Sequence, residues 1–357
     1  MSALSRLREK MKARGVDALI VLDELNQRYL SGFAFTDGLL LITAKEAHLV
    51  TDFRYYEMAL SGAYSDFTVH DIKFEDERRG FISGILSDNG CKTVGFEGQS
   101  ISFASYSYYV REFPEYEFLS IEGDIEQIRQ IKTPEEISFI QKAQDITDLA
   151  FKHILSVLTP NMTEIEVAAE LEYAMRRAGA DGFAFDTVAV SGDASALPHG
   201  TPRNVKLKAG FLTMDYGAKY NGYCSDMTRT VVIGRADAEM KKLYNTVLNA
   251  QRAGLDFLRA GVDCGEADKA ARDIIDACYK GTFGHSLGHS VGLFIHESPA
   301  LSPRAFGRLV ERGNILTVEP GIYLFGKYGC RIEDMVAVED EGVYNFTHSP
   351  KELIEIY

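Results

Sequence analysis

The stretch FLTMDYGAKYNGYCSDMTRT, residues 211–230, decides how the C-terminal part of this chain folds. Its Asn221-Gly222 pair is a strong two-residue hairpin signal between strand-like runs. That turn pairs Tyr220 with Tyr223 and Gly217 with Asp226, which puts Asp215 on the same face as Asp226 as a diagonal cross-strand neighbour. Further along, Ile315–Glu319 and Cys330–Val338 read as a second hairpin-like unit, with the turn residues Pro320, Gly321, Gly326 and Gly329 between them. It carries Glu319 and Glu333. One acid near a turn reads as a solvated surface charge. The set reads differently, because Glu319 follows Ile315, Leu316 and Val318, while Glu333 follows Ile332 and precedes Met335 and Val336.

Carboxylates in such runs need a positive partner, since an unpaired buried charge is costly. With His289 they make four carboxylates and one imidazole, a set suited to two divalent ions about 3.5–4 Å apart that share a water able to attack a carbonyl. Asp215, Asp226, His289, Glu319 and Glu333 are therefore the expected metal ligands of a hydrolase. Three of the eight histidines, His285, His289 and His296, fall in GHSLGHSVGLFIHESP, and His199 lies in LPHGTP. Histidines beside carboxylates supply a ligand together with proton-transfer and oxyanion-stabilising groups. His285 and His289 have the spacing of a helical metal pair, but Gly284, Gly288 and Gly292 favour turn and strand. His285, His48, His70, His153 and His348 read as structural or surface residues.

The stretches SALPHGTP, MDYGAKYNGYCSDMTRT, FGHSLGHSVGLFIHESP, TVEPGIY and GCRIEDMVAV span residues 195–338. In order and spacing they resemble the creatinase/aminopeptidase superfamily of pita-bread-fold metallopeptidases, specifically its Xaa-Pro aminopeptidase and prolidase branch. A weaker resemblance runs through SGFAFTDG, VTDFRY, IRQIKTPEEI and THSPKEL, so that nearly the whole chain is covered. It implies an α/β (α+β) protein, with a creatinase-like α/β domain over residues 1–125 and a pita-bread catalytic domain over 126–357, pseudo-twofold about the metals. It also implies that Asp215 binds one metal, that Asp226 and Glu333 bridge, and that His289 and Glu319 bind the other. By the same resemblance His199 and His296 contact the scissile carbonyl, Glu319 is the general base, and Arg331 and Thr228 lie around the ligands or on the substrate side. Asp52 and Arg54 in VTDFRYYEMA resemble the DxRY segment of Xaa-Pro peptidases, whose N-terminal domains abut active sites in oligomers. Arg54 is thus an expected substrate-binding residue and a homodimer the expected assembly. Ser290 departs from the family, which usually has Gly after the ligand histidine.

Composition agrees with a two-domain enzyme. The 357 residues are 46% apolar, enough for substantial cores. A net charge of −14 disfavours nucleic acid and anionic membranes as partners. The polar start SALSRLREKMKARG does not read as a signal peptide, and no apolar run reaches the ~20 residues of a membrane span. Five scattered cysteines without CxxC pairs read as reduced thiols of a cytoplasmic protein. Before residue 125, GVDALIVLD, GLLLITAKE, AHLVTD, FTVHDI and TVGFEG read as strands, alternating with helices near Ser2–Arg14, Arg54–Leu60 and Asp76–Leu86. Thr133 and Glu136 form a capping box around Pro134, opening a helix to about Val157, and Thr163 and Glu166 repeat it before a helix ending at Gly179. Two more helices are expected over Asp237–Arg259 and Glu266–Tyr279.

Three functions compete on these residues. An exopeptidase for small peptides with proline at the second position, using two divalent ions, Mn²⁺ with Co²⁺ or Zn²⁺ as alternatives, suits the ligands and the N-terminal domain together. Methionine aminopeptidases resemble only the C-terminal domain, and non-catalytic binding modules of the fold have lost ligands that this chain keeps. Within the first reading, a strict Xaa-Pro dipeptidase needs a cation for the prolyl carboxylate. Some prolidases place an arginine where this chain has Ala300, leaving Arg304 and Arg331 as substitutes, so an Xaa-Pro aminopeptidase is favoured.

Overall fold

The computed structural model describes residues 2–357, and the chain divides into two compact units after Arg129. In the first unit the runs ALIV, LLLIT and AHLVT are buried throughout, as expected of strands covered on both faces. They form the middle of a mixed six-stranded sheet ordered Thr68–Asp71, Ala47–Thr51, Leu39–Thr43, Ala18–Val21, Thr93–Phe96, Glu117–Ser120. Leu39–Thr43 runs antiparallel to both neighbours and the other pairings are parallel. The helix Asp124–Arg129 stays with this unit because Ile125 and Ile128 are buried and Asp124 pairs with Arg14. Sequence patterning passes over the strand Glu117–Ser120 and the helices Glu24–Ser31 and Phe103–Glu112.

In the second unit both capping boxes form, opening the helices Pro134–Val157 and Glu164–Arg177. Their apolar faces pack with Leu212, Met214, Met227 and Val231 into one core. The helices Ala238–Phe257 and Cys264–Tyr279 close a second core with Leu316, Val318, Ile332 and Val336. Each helix pair thus covers one carboxylate-bearing hairpin.

The first hairpin has the expected register. Tyr220 faces Tyr223 and Asp215 faces Thr228, around a turn with φ of 45° at Asn221 and 75° at Gly222. Two positive φ values in a row define the type I′ turn that an Asn-Gly pair favours. The ladder breaks at Gly217, where a Cβ would collide with the Ser225 carbonyl, and Asp226 emerges at that break. In the second hairpin Val318 faces Asp334 and Gly321 faces Arg331, with Glu319 and Glu333 in the gap between. What reads as one unit is therefore split, into part of a five-stranded sheet and a separate two-stranded ribbon. Arg229 ties the hairpins together, donating to the carbonyls of Thr228 and Glu333 and pairing with Asp334 at 2.8 Å.

Candidate metal centre

A cavity of about 600 Å³ is lined by Asp215, Asp226, His289, Glu319 and Glu333, and by His199 and His296. All seven come together although 134 positions separate the first from the last in sequence. Asp226 and the glutamates sit where the two ladders open, so that backbone pairing does not hold their side chains back. His289 comes from the short strand Gly288–Ser290, whose neighbour Ile315–Val318 leads directly into Glu319. That pair of strands approaches closely at Gly288, where a Cβ would collide with the Thr317 carbonyl.

The polar atoms are arranged for a cation. Asp226, His289 and Glu333 each offer a ligand atom within 4.8 Å of the others. His289 Nδ1 lies 3.2 Å from the Ser290 carbonyl, which can only accept, so Nδ1 carries the proton and Nε2 presents a lone pair. Nε2 faces Asp226 Oδ2 at 3.6 Å and Glu319 Oε1 at 3.5 Å. Arg331 holds Asp215 Oδ2 at 2.6 Å and Thr228 holds Glu333 Oε2 at 2.7 Å, whereas Asp215 Oδ1 and Glu333 Oε1 are buried without any hydrogen-bond partner. One oxygen of each carboxylate is oriented by the protein and the other is left for something else. The donor set therefore fits bound divalent metal.

Electrostatics point the same way. Burial, reinforced by Glu333, raises the Asp226 carboxyl well above its ordinary range, and burial with Glu319 does the same to Glu333. Burial pushes Glu319 up to about 8. Crowded carboxylates repel one another until positive charge enters. Burial, then His296, takes His289 down to about 4, which keeps its imidazole neutral and able to bind metal.

His285, read from sequence as structural or surface, lines the cavity, with Nδ1 2.9 Å from the Ser286 carbonyl and Nε2 2.9 Å from the Tyr323 hydroxyl. Burial and then Arg331 lower it to about 3, so it is a neutral imidazole. Tyr323, which the sequence did not single out, links it to Arg331, whose guanidinium also meets Asp215, Thr228 and the Pro198 carbonyl. Arg331 is only 3% exposed. Arg54 lies in the first unit, where Asp52 at 2.7 Å and Asp37 at 3.1 Å occupy its guanidinium.

Known proteins resemble this chain in sequence and in fold. Residues 138–340 match the model of metallopeptidase family M24, and residues 4–131 that of the creatinase/prolidase N-terminal domain. The chain is 36% identical to the Xaa-Pro dipeptidase of Pyrococcus furiosus, over 98% of this chain and 99% of the relative. It is similar in structure to the Xaa-Pro dipeptidase from Bacillus anthracis, with TM-score 0.95, 40% identity and 99% of each chain covered. The X-Pro aminopeptidase from Thermotoga maritima superposes with TM-score 0.91 at 35% identity, over all of both chains.

Proposed function

We propose that this chain, which belongs to metallopeptidase family M24, is a dinuclear-metal Xaa-Pro aminopeptidase that releases the N-terminal residue of small peptides with proline second. One observation carries the choice. Among the described residues Arg331 is the only Lys or Arg lining the cavity, and its guanidinium is already taken by Asp215, Thr228, Tyr323 and Pro198. Arg304 is not among the lining residues, and Ala300 is. A strict dipeptidase needs a free cation for the prolyl carboxylate, and a peptide that continues past proline does not. Xaa-Pro dipeptidase is the second reading, supported by the relatives that carry that name.

Asp215, Asp226, His289, Glu319 and Glu333 would hold the two ions, with Asp226 and Glu333, by the family resemblance, the residues that would be shared between them. Four oxygen ligands to one nitrogen favour Mn²⁺, with Co²⁺ and Zn²⁺ as alternatives. When bound, such ions polarise the scissile carbonyl and activate water. Glu319 takes the proton of the attacking water and delivers it toward the departing prolyl nitrogen. His199 and His296 donate hydrogen bonds to the carbonyl oxygen as its charge grows. Arg331 and Thr228 hold Asp215 and Glu333 in place, and Arg331 stays charged because Tyr323, Asp215 and Glu319 outweigh its burial. We further propose a cytoplasmic homodimer with Arg54 on the substrate side of the partner. No helix among the described residues is long and apolar enough to cross a membrane.

The deciding experiment compares an Xaa-Pro dipeptide with an Xaa-Pro-Xaa tripeptide on Mn²⁺-loaded protein. Faster tripeptide cleavage is expected. Cleavage of the dipeptide alone would replace the aminopeptidase reading with the dipeptidase one. Activity that survives complete metal removal would sink both.

A further inference from the structure

Behind the cavity wall lies a buried ion pair that the reaction as described does not use. Lys132 Nζ is 3.0 Å from Glu297 Oε2, with side chains only 1% and 8% exposed. The same ammonium lies 3.4 Å from the Ser290 hydroxyl. Ser290 directly follows the ligand His289, and Glu297 directly follows His296. The two strands carrying them are paired Ser290 to Glu297, with the register shifting between His289 and Ser290. Lys132 therefore reaches both strands beside the register shift, at the residue that follows each imidazole in sequence.

Glu297 also shapes the turn between them. Its Oε1 accepts the Phe294 N–H at 3.1 Å, and the Gly292 N–H meets the Phe294 carbonyl at 3.1 Å. A Cβ on Gly292 would fall 2.6 Å from both carboxylate oxygens, so the carboxylate lies flat on that turn. Out of this turn His296 is set edge-on to His289, with ring centroids 4.5 Å apart. Two desolvated charges are a costly way to stabilise a fold, because a well-packed apolar pair often does as well or better. What a charge pair supplies is a fixed geometry.

We propose that Lys132 and Glu297 are positioning residues that fix the imidazoles of His289 and His296 relative to each other. The proposal rests on the reading of His296 as a substrate-side residue. Lys132 brings a cation, Glu297 locks the turn, and Ser290 gives the ammonium a second acceptor.

The test uses the full chain loaded with Mn²⁺ or Co²⁺. Lys132→Met should keep its bound metal but lose about 10²-fold in kcat on an Xaa-Pro tripeptide, the scale of a small misplacement, with KM much less affected. The visible bands of the Co²⁺ form should shift, because His289 moves. Lys132→Arg should recover part of the loss. The double variant Lys132→Met/Glu297→Gln removes both charges of the pair and should regain thermal stability without regaining kcat. Recovery of kcat together with stability in the double variant, or wild-type kcat in Lys132→Met, would overturn the proposal. Should the wild-type protein bind metal yet cleave no Xaa-Pro peptide, the functional reading fails by itself. The Co²⁺ bands then decide alone, and unchanged bands in Lys132→Met overturn the positioning role.

Discussion

His199 and His296 line the cavity beside the five residues assigned to the metals, and the difference in assigned role is measurable. Replacing either by Ala should lower kcat by about 10²–10³, the usual loss for one oxyanion donor, while elemental analysis finds the metal retained. An empty metal site in His296→Ala would transfer that residue to the ligand set. Glu97, in the first unit, makes a separate test of buried charge. It accepts the N–H groups of Leu22 and Asp23 and the Asn26 amide, yet burial outweighs these donors and pushes its carboxyl up to about 7. The folded state then holds a proton that the unfolded chain has released, so stability is greatest below the ordinary carboxyl value of about 4.5 and falls as pH rises to about 7. Glu97→Gln should remove this slope, and thermal midpoints should move in favour of the variant between about pH 5 and about pH 7.5. A difference between the two proteins that is constant with pH would exclude this linkage. Such residues are hard to read from sequence for a plain reason. His285 meets Tyr323 across 38 positions and Lys132 meets Glu297 across 165, and no local pattern reports those distances.

At the scale of elements, the carboxylate hairpins were legible because turns are local. Asn221-Gly222 sets the register by itself, and the register then carries Asp215 and Asp226 to one face. The capping boxes at Thr133 and Thr163 were legible for the same reason, since each is complete within four residues. The helix Glu24–Ser31 had signals too, a capping Asp23 and a Gly32 with φ of 77°, but it spans only 8 residues between apolar strands and its own periodicity is short. The close strand approach at Gly288 could not be read, because it depends on Thr317 from another strand. It can be tested. Gly288→Ala puts a methyl group against the Thr317 backbone, which must shift His289 relative to Glu319. Metal affinity should drop by tenfold or more, about the loss expected when the support of a ligand is disturbed, with the fold retained by circular dichroism. Wild-type affinity in that variant would mean that the two strands can separate without cost to the site.

At the scale of the molecule, each unit has apolar cores of its own. Ile20, Leu41 and Val94 pack in the first, while the two clusters around Phe151 and Leu212 and around Val247 and Leu316 belong to the second. Alternating strands and helices made the first unit legible in the sequence, and helix pairs flanking hairpins did so for the second. The short helix Asp124–Arg129 belongs to the first unit, with Ile125 and Ile128 buried. Every residue assigned to the metal centre lies in the second unit, as does Lys132. A fragment of residues 130–357 should therefore fold and bind divalent metal reversibly, as judged by circular dichroism and elemental analysis before and after chelation. Cutting later, past Lys132, should remove the Lys132 ammonium from Glu297 and yield a less stable fragment. If the homodimer forms through the first unit, light scattering should find the intact chain dimeric and the 130–357 fragment monomeric, and the fragment should discriminate poorly for proline. An intact chain that is fully active as a monomer would remove the dimer from the mechanism, and a 130–357 fragment that cannot hold metal would show that the catalytic unit depends on the first for its fold.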